Sequence, residues 1–143
     1  MRVKRIGHIN IRTILIEETL VFYETCLGFV RGPAVSAIQR ADNFWLYDPQ
    51  GVPLIHVNGP MGGEAVAPQG LVSRLDHVAF DCSGLGACRS RLTAQGVAFH
   101  EQALTTRNLH QINVLDPNGI KIELTFETDE EAHNTVTPAP ART

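Results

Sequence analysis

Cysteine is scarce in this chain of 143 residues. Cys26, Cys82 and Cys88 show neither C-x-x-C spacing nor an even count, so a secreted disulfide framework is not expected and a reducing compartment fits better. No segment approaches the run of roughly 18 apolar residues that a membrane span needs. The basic N-terminus, MRVKRIGHINIRT, passes straight into an alternating strand pattern and shows no signal peptide. Positive charge is not in excess either. The 12 Lys and Arg against 15 Asp and Glu leave a formal net charge of −3, which gives no reason to expect a nucleic-acid partner. Glycine motifs that cradle phosphate are missing, because the GGE and GLG fragments read as linker and turn. What is left is an ordinary globular composition, 43% hydrophobic, and the expectation of a soluble cytoplasmic domain without membrane or nucleic-acid partners.

What the chain does contain, it contains twice. The segment DPNGIKIELTF begins at Asp116, and DPQGVPLIHVN begins 68 residues earlier, at Asp48. GHINIRT and DHVAFDC place His8 and His77 at matching points of two alternating strands. Each is followed by a helical segment, near 16–27 and 86–95, that ends at a glycine, Gly28 or Gly96. An internal repeat of this kind is read before any single motif. Here each unit reads strand, helix and three strands. The later strands are expected near 34–39, 43–47 and 53–58, and near 97–101, 109–115 and 120–126. The chain is therefore expected to be α+β, with a first βαβββ module at 1–58, a Gly/Pro-rich linker at 59–74 and a second module at 75–127. A tail at 128–143 has no apolar periodicity and is expected to be mobile.

Strand parity then sorts the polar residues. Ile9 and Ile11 oppose His8, Asn10 and Arg12. Val78 and Phe80 oppose His77, and Ile120, Ile122, Leu124 and Phe126 oppose Glu123. With a helix on each apolar face, His8, His77 and Glu123 fall on the helix-free faces. His56 is the counterpart of Glu123, although it lies eight residues from its turn aspartate rather than seven, and the extra residue could shift its face. Two curved sheets around His8, His56, His77 and Glu123 would form a cupped mixed sheet enclosing a divalent-metal site. Imidazole and carboxylate donors suit Zn, Ni, Co, Mn or Fe. Taken alone, each of these residues is more simply a hydrogen-bonded or half-exposed side chain. Their repeat-equivalent placement is what favours metal binding.

These motifs carry a resemblance. HINIRT, FYETCLGF, LDHVAF and DPNGIKIEL, spread over residues 3–127, resemble the vicinal-oxygen-chelate superfamily. Its members include glyoxalases, bleomycin-resistance proteins, methylmalonyl-CoA epimerases, fosfomycin-resistance enzymes and type I extradiol dioxygenases. The resemblance implies paired βαβββ modules cupped round a metal, ligands carried over onto His8, His56, His77 and Glu123, and a homodimer. His56 departs from the Glu or Gln usual at that position in glyoxalases and epimerases. Glu123 is thus the one carboxylate able to shuttle a proton, with His56 as its imidazole partner.

Four protein ligands on a six-coordinate ion leave two positions for a small substrate with vicinal oxygens, which points to a lyase or isomerase that moves a proton α to a carbonyl. Without His56, the two-His-one-carboxylate set of an Fe(II) extradiol dioxygenase remains. A non-catalytic, ligand-sequestering protein like the bleomycin-resistance members is the third possibility. Parity adds Trp45, Tyr47 and Asn43 as cavity walls and Gln111 and Asn113 as substrate hydrogen-bond donors. His110, at the strand entrance beside a loop at 101–109, is a candidate acid/base. Arg12 would meet an anionic substrate or pair with Glu17.

Overall fold

The structure, a computed structural model, describes residues 1–2, 5–33, 35, 40–62 and 75–128. Most of the expected linker, the tail beyond 128 and His133 lie outside the described residues. The elements run in order as β1 (Ile9–Arg12), α1 (Ile16–Leu27), β2 (Val30–Gly32), β3 (Asn43–Tyr47), β4 (Pro53–Asn58), β5 (His77–Cys82), α2 (Leu85–Ala94), β6 (Phe99–Leu104), β7 (Leu109–Leu115) and β8 (Lys121–Glu127). A 3-10 turn, Thr105–Arg107, separates β6 from β7. Strand order is β1-β4-β3-β2 in one four-stranded sheet and β5-β8-β7-β6 in the other. In both, the first strand pairs parallel to the last and the remaining pairs are antiparallel. This is the tandem βαβββ arrangement that the repeat predicts.

The helices fall where the sequence places them. Gly28 closes α1 in the left-handed conformation (φ 78°), which an L side chain resists and glycine adopts freely. One strand differs. A strand, β2, is present at Val30–Gly32, ahead of the strand expected at 34–39, of which positions 34 and 36–39 lie outside the described residues. The Gly28 cap reverses the chain at once, so Val30 already pairs with Tyr47. Gly32 lies under the Tyr47 ring, which a Cβ there would strike, and the Tyr47 hydroxyl donates to the Pro33 carbonyl at 2.7 Å. The expected loop at 101–109 is likewise mostly strand and 3-10 turn.

The chain divides into two compact units, residues 1–73 with 116–120, and residues 74–115 with 121–143. In the first, α1 covers one sheet face through Leu20, Phe22, Tyr23 and Cys26, with Ile11, Leu46, Ile55 and Val57 buried in that unit. Arg31, on the Leu46 face, reaches Glu17 and Glu24 of α1 at 2.6 and 2.9 Å. The Arg12–Glu17 pair considered from sequence therefore does not form: Glu17 is taken by Arg31, and Arg12 Nε donates to Asn58 Oδ1 at 3.4 Å. In the second unit Leu85 and Leu92 of α2 are buried, as are Ile112, Val114, Ile122, Leu124 and Phe126.

The two DP-x-G turns agree atom for atom. Asp48 Oδ1 accepts from the amides of Gln50 and Val52, and Asp116 Oδ1 from those of Asn118 and Ile120. Gly51 and Gly119 have φ of 80° and 79°. An aspartate capping its own turn in this way is a common local device. The copies differ in surroundings. Asp116 is buried and Tyr23 Oη donates to its Oδ2 at 3.4 Å. Asn118 accepts from Thr13 Oγ1 at 2.6 Å and donates to Thr19 Oγ1 at 2.9 Å.

Candidate functional site

In the first unit the β1–β4 register places Asn10 beside His56 and Arg12 beside Asn58. The β3–β4 register places Trp45 beside His56 and Asn43 beside Asn58. These residues all share the face opposite Ile11, Leu46 and Ile55. The extra residue before His56 does not shift its face, because pairing steps from Leu46–Ile55 to Tyr47–Pro53. Leu54 is left over as a bulge, which absorbs one residue. The His56 ring stacks on Trp45, centroids 4.6 Å apart and planes 7° from parallel, and His8 meets Trp45 edge-on at 4.9 Å. The two imidazole centroids are 6.2 Å apart. His56 Nε2 contacts Asn43 Oδ1 and lies 3.4 Å from Asn58 Nδ2. Burial, then the nearby His8 and Arg12, lower the His56 pKa below the ordinary imidazole value, which keeps it in the neutral form that binds metals.

The second unit repeats this plan with a carboxylate. Glu123 lies beside Ala79 on β5 and Asn113 on β7. Gln111 Nε2 donates to Glu123 Oε1 at 2.8 Å, and Thr125 Oγ1 donates to the same oxygen at 3.3 Å. Gln111 and Asn43 are repeat-equivalent, as are Thr125 and Asn58. Each unit thus holds its ligand-type side chain between an amide from the preceding strand and a polar side chain two residues further on. The other carboxylate oxygen, Oε2, lies 3.8 Å from His77 Nε2. His77 Nδ1 is 2.8 Å from Asp76 Oδ2. Since a carboxylate only accepts, Nδ1 is the donor in this contact. Lys121 Nζ contacts the same Asp76 oxygen, and it and His77 lower the Asp76 pKa.

The structure thus brings His8 together with His56, and His77 together with Glu123. Among the described residues no three His, Cys, Asp or Glu side chains gather as a metal-holding group. Each pair fits an ion by donor chemistry: two imidazoles in the first unit, imidazole nitrogen beside a carboxylate oxygen in the second. A carboxylate against Nδ1, as Asp76 stands against His77, is an arrangement that metal-binding histidines show.

His110 is a correction. The β7–β8 register pairs it with Phe126, on the face opposite Glu123, and its Nε2 lies 2.5 Å from Glu101 Oε1. Arg89 of α2 holds that carboxylate as well, through Nε at 3.0 Å. An acid/base role beside Glu123 is closed to His110 because the sheet lies between them. Asp76, Asn58 and Thr125 are the residues that sequence reasoning missed. For Asn58 and Thr125 the signal was there, two residues after His56 and Glu123 on the same face. For Asp76 there was none, since Gly7 stands at the matching place.

The Glyoxalase/Bleomycin resistance protein/Dioxygenase superfamily model matches residues 5–124. The chain belongs to this superfamily. Solved members have the same fold. A glyoxylase/bleomycin resistance protein/dioxygenase domain from Frankia sp. EAN1pec is 18% identical, with 88% of this chain and 93% of that one covered at a TM-score of 0.69. A glyoxalase/dioxygenase from Nostoc punctiforme is also 18% identical, covers 87% and 91%, and gives a TM-score of 0.66. The fosfomycin resistance protein FosX from Listeria monocytogenes is 16% identical, covers 91% and 99%, and gives 0.64. No curated protein matches the chain. No helix among the described residues is long and apolar enough to cross a membrane.

Proposed function

We propose that this superfamily member is a divalent-metal-dependent lyase or isomerase of glyoxalase or epimerase type. Its substrate is a small molecule with two vicinal oxygens, and the reaction moves a proton α to a carbonyl. The observation that carries this reading is the His77–Glu123 pair, where Nε2 and Oε2 face each other at 3.8 Å while their companion atoms are held by Asp76, Gln111 and Thr125. His8, His56, His77 and Glu123 are the residues that would hold the ion, which would be Zn, Ni, Co, Mn or Fe. When bound, that ion supplies Lewis-acid polarisation of the substrate oxygens.

The chain's own residues do the rest. Glu123 is the carboxylate that takes and returns the proton, oriented by Gln111 and Thr125 at Oε1. His56, neutral and stacked on Trp45, is its imidazole partner across the reaction. Trp45 supplies the apolar wall, while Asn113 and Arg12 are the polar groups on the same faces that orient an oxygen-rich substrate. Tyr47 contributes its ring, since its hydroxyl is bound to the Pro33 carbonyl. Three cysteines, none of them in a disulfide among the described residues, support a reducing, cytoplasmic setting, and a homodimer belongs to the same reading.

One observation favours a second reading, an Fe(II) extradiol dioxygenase. His56 Nε2 is already engaged by Asn43 and Asn58, which leaves His8, His77 and Glu123 as a two-His-one-carboxylate set. Metal analysis of protein purified without chelator decides between the readings. About one Zn, Ni, Co or Mn per chain, weakened about 10-fold or more in His56→Ala, supports the lyase or isomerase. Iron held equally by wild type and variant supports the dioxygenase. Absence of any ion after reloading sinks both readings and leaves a ligand-sequestering protein.

A further inference from the structure

Asp76 is a surface residue with a buried residue's bonding. Its side chain is 71% exposed, yet one oxygen, Oδ2, receives both His77 Nδ1 at 2.8 Å and Lys121 Nζ. The three residues converge from two paired strands, since His77 lies beside Lys121 in the parallel β5–β8 register. On that pairing the Lys121 and His77 side chains share a face, and Asp76, at the strand entrance, closes the triangle.

The repeat shows that this is an addition to the fold and not a part of it. Every other component of the second half-site has a counterpart in the first: His8 for His77, His56 for Glu123, Asn43 for Gln111, Asn58 for Thr125. At the places of Asp76 and Lys121 the first module has Gly7 and Pro53. Neither can form such a contact. His8 is positioned by the edge of Trp45 instead. The folding of a βαβββ module therefore does not require the triangle, because the sister module forms the same sheet without it.

Resting on the metal-site reading above, we propose that Asp76 is a positioning residue, held in place by Lys121, which fixes the His77 tautomer so that Nε2 presents its lone pair toward Glu123 Oε2. An exposed ion pair between lysine and aspartate contributes little to stability. Its consequence here is orientational: the carboxylate accepts from Nδ1, the imidazole cannot rotate to offer Nδ1 instead, and the donor atom is set before any ion arrives. Partners of this kind typically change metal affinity by about 10–100-fold.

The test uses three variants of the full chain, Asp76→Ala, Asp76→Asn and Lys121→Met, with two readouts. Nitrogen-15 NMR of the metal-free protein reports which His77 nitrogen carries the proton. Calorimetric titration with Zn or Co(II) reports affinity. The expected result is an Nδ1–H tautomer in wild type, a mixture in Asp76→Ala, and about 10–100-fold weaker metal binding in that variant. Asp76→Asn, whose amide oxygen still accepts from Nδ1, restores the tautomer and most of the affinity. Lys121→Met falls between the two. An unchanged tautomer in Asp76→Ala overturns the proposal, whatever the metal does. Wild type that shows the tautomer dependence but binds neither ion refutes the metal-site reading and leaves the positioning of His77 standing. Because Asp76 is exposed, loss of fold is not expected, and circular dichroism of each variant verifies this.

Discussion

At the scale of single residues, the side chains that matter here are those whose partners differ from what residue type alone suggests. Burial, with Cys88 and Asp81 adding to it, pushes the Cys82 thiol up to about 11, and burial also raises Cys26. At pH 8 the Cys82 thiolate fraction is then roughly 100-fold below that of an ordinary thiol. Iodoacetamide labelling followed by peptide mass spectrometry is expected to leave Cys82 and Cys26 unmodified on the time scale that alkylates a free thiol. Carboxylates set the acid behaviour. Arg31 lowers the pKa of Glu17, and Arg89 lowers that of Glu101. A depressed folded pKa gives stability that is present above the ordinary carboxylate value and lost as pH falls through the folded one. Urea midpoints taken from pH 6 down to pH 3 should therefore fall less steeply for Arg31→Ala than for wild type. Asp116 has the opposite sign. Its burial raises the pKa, so its ionisation costs stability as pH rises through that value.

Among the elements, β4 is the most informative. Its bulge at Leu54 explains how His56 keeps the face of Glu123 despite one extra residue before it. Deleting Leu54 would give β4 the spacing of β8, and pairing of Ile55 with Leu46 and His56 with Trp45 needs no residue there. The deletion is expected to fold and to leave the His56–Trp45 contact intact, which proton NMR of the His56 ring, shifted by the indole, would show. Loss of that ring-current shift would mean that the bulge is needed for register. At β2 the opposite holds. Gly32→Ala drives a methyl group into the Tyr47 ring, and overpacking of this kind costs about 1–3 kcal/mol. Thermal melting of Gly32→Ala against Gly32→Ala/Tyr47→Ala distinguishes that clash from a backbone effect, because only the clash is relieved in the double variant.

On the scale of the whole chain, sequence order and structural unit do not coincide. Residues 116–120 follow β7 in sequence but belong to the first compact unit. There Asn118 bonds Thr13 and Thr19, Asp116 meets Tyr23, and both side chains leave open water. The equivalent Gln50 is exposed. Asn118→Ala is therefore expected to destabilise by about 1–3 kcal/mol, the range for leaving buried hydrogen-bonding groups without partners. Gln50→Ala should be close to silent. Equal losses in chemical denaturation would show that the two turns have equivalent roles after all.

Local chemistry let the sequence by itself determine a great deal. Period-two alternation placed His8, His77 and Glu123 opposite the core, glycine closed α1, and the paired DP-x-G turns marked two copies of one βαβββ unit. Those signals act within a few residues of chain, so no tertiary contact was needed to read them. Other features depended on cross-strand register, which a sequence does not carry. Only pairing across β3 and β4 showed that Leu54 is the residue that bulges and that His56 keeps its face. Pairing across β7 and β8 put His110 on the face opposite Glu123, in agreement with the parity that sets Gln111 and Asn113 on the other face. Only the packed structure showed Glu101 as the partner of His110. The pairing of Val30 with Tyr47 and of Gly32 with Trp45 was decided by the register of β2 on β3. The orientation of His77 was decided by Asp76 and Lys121, 45 residues apart in sequence and adjacent only once β5 and β8 lie side by side.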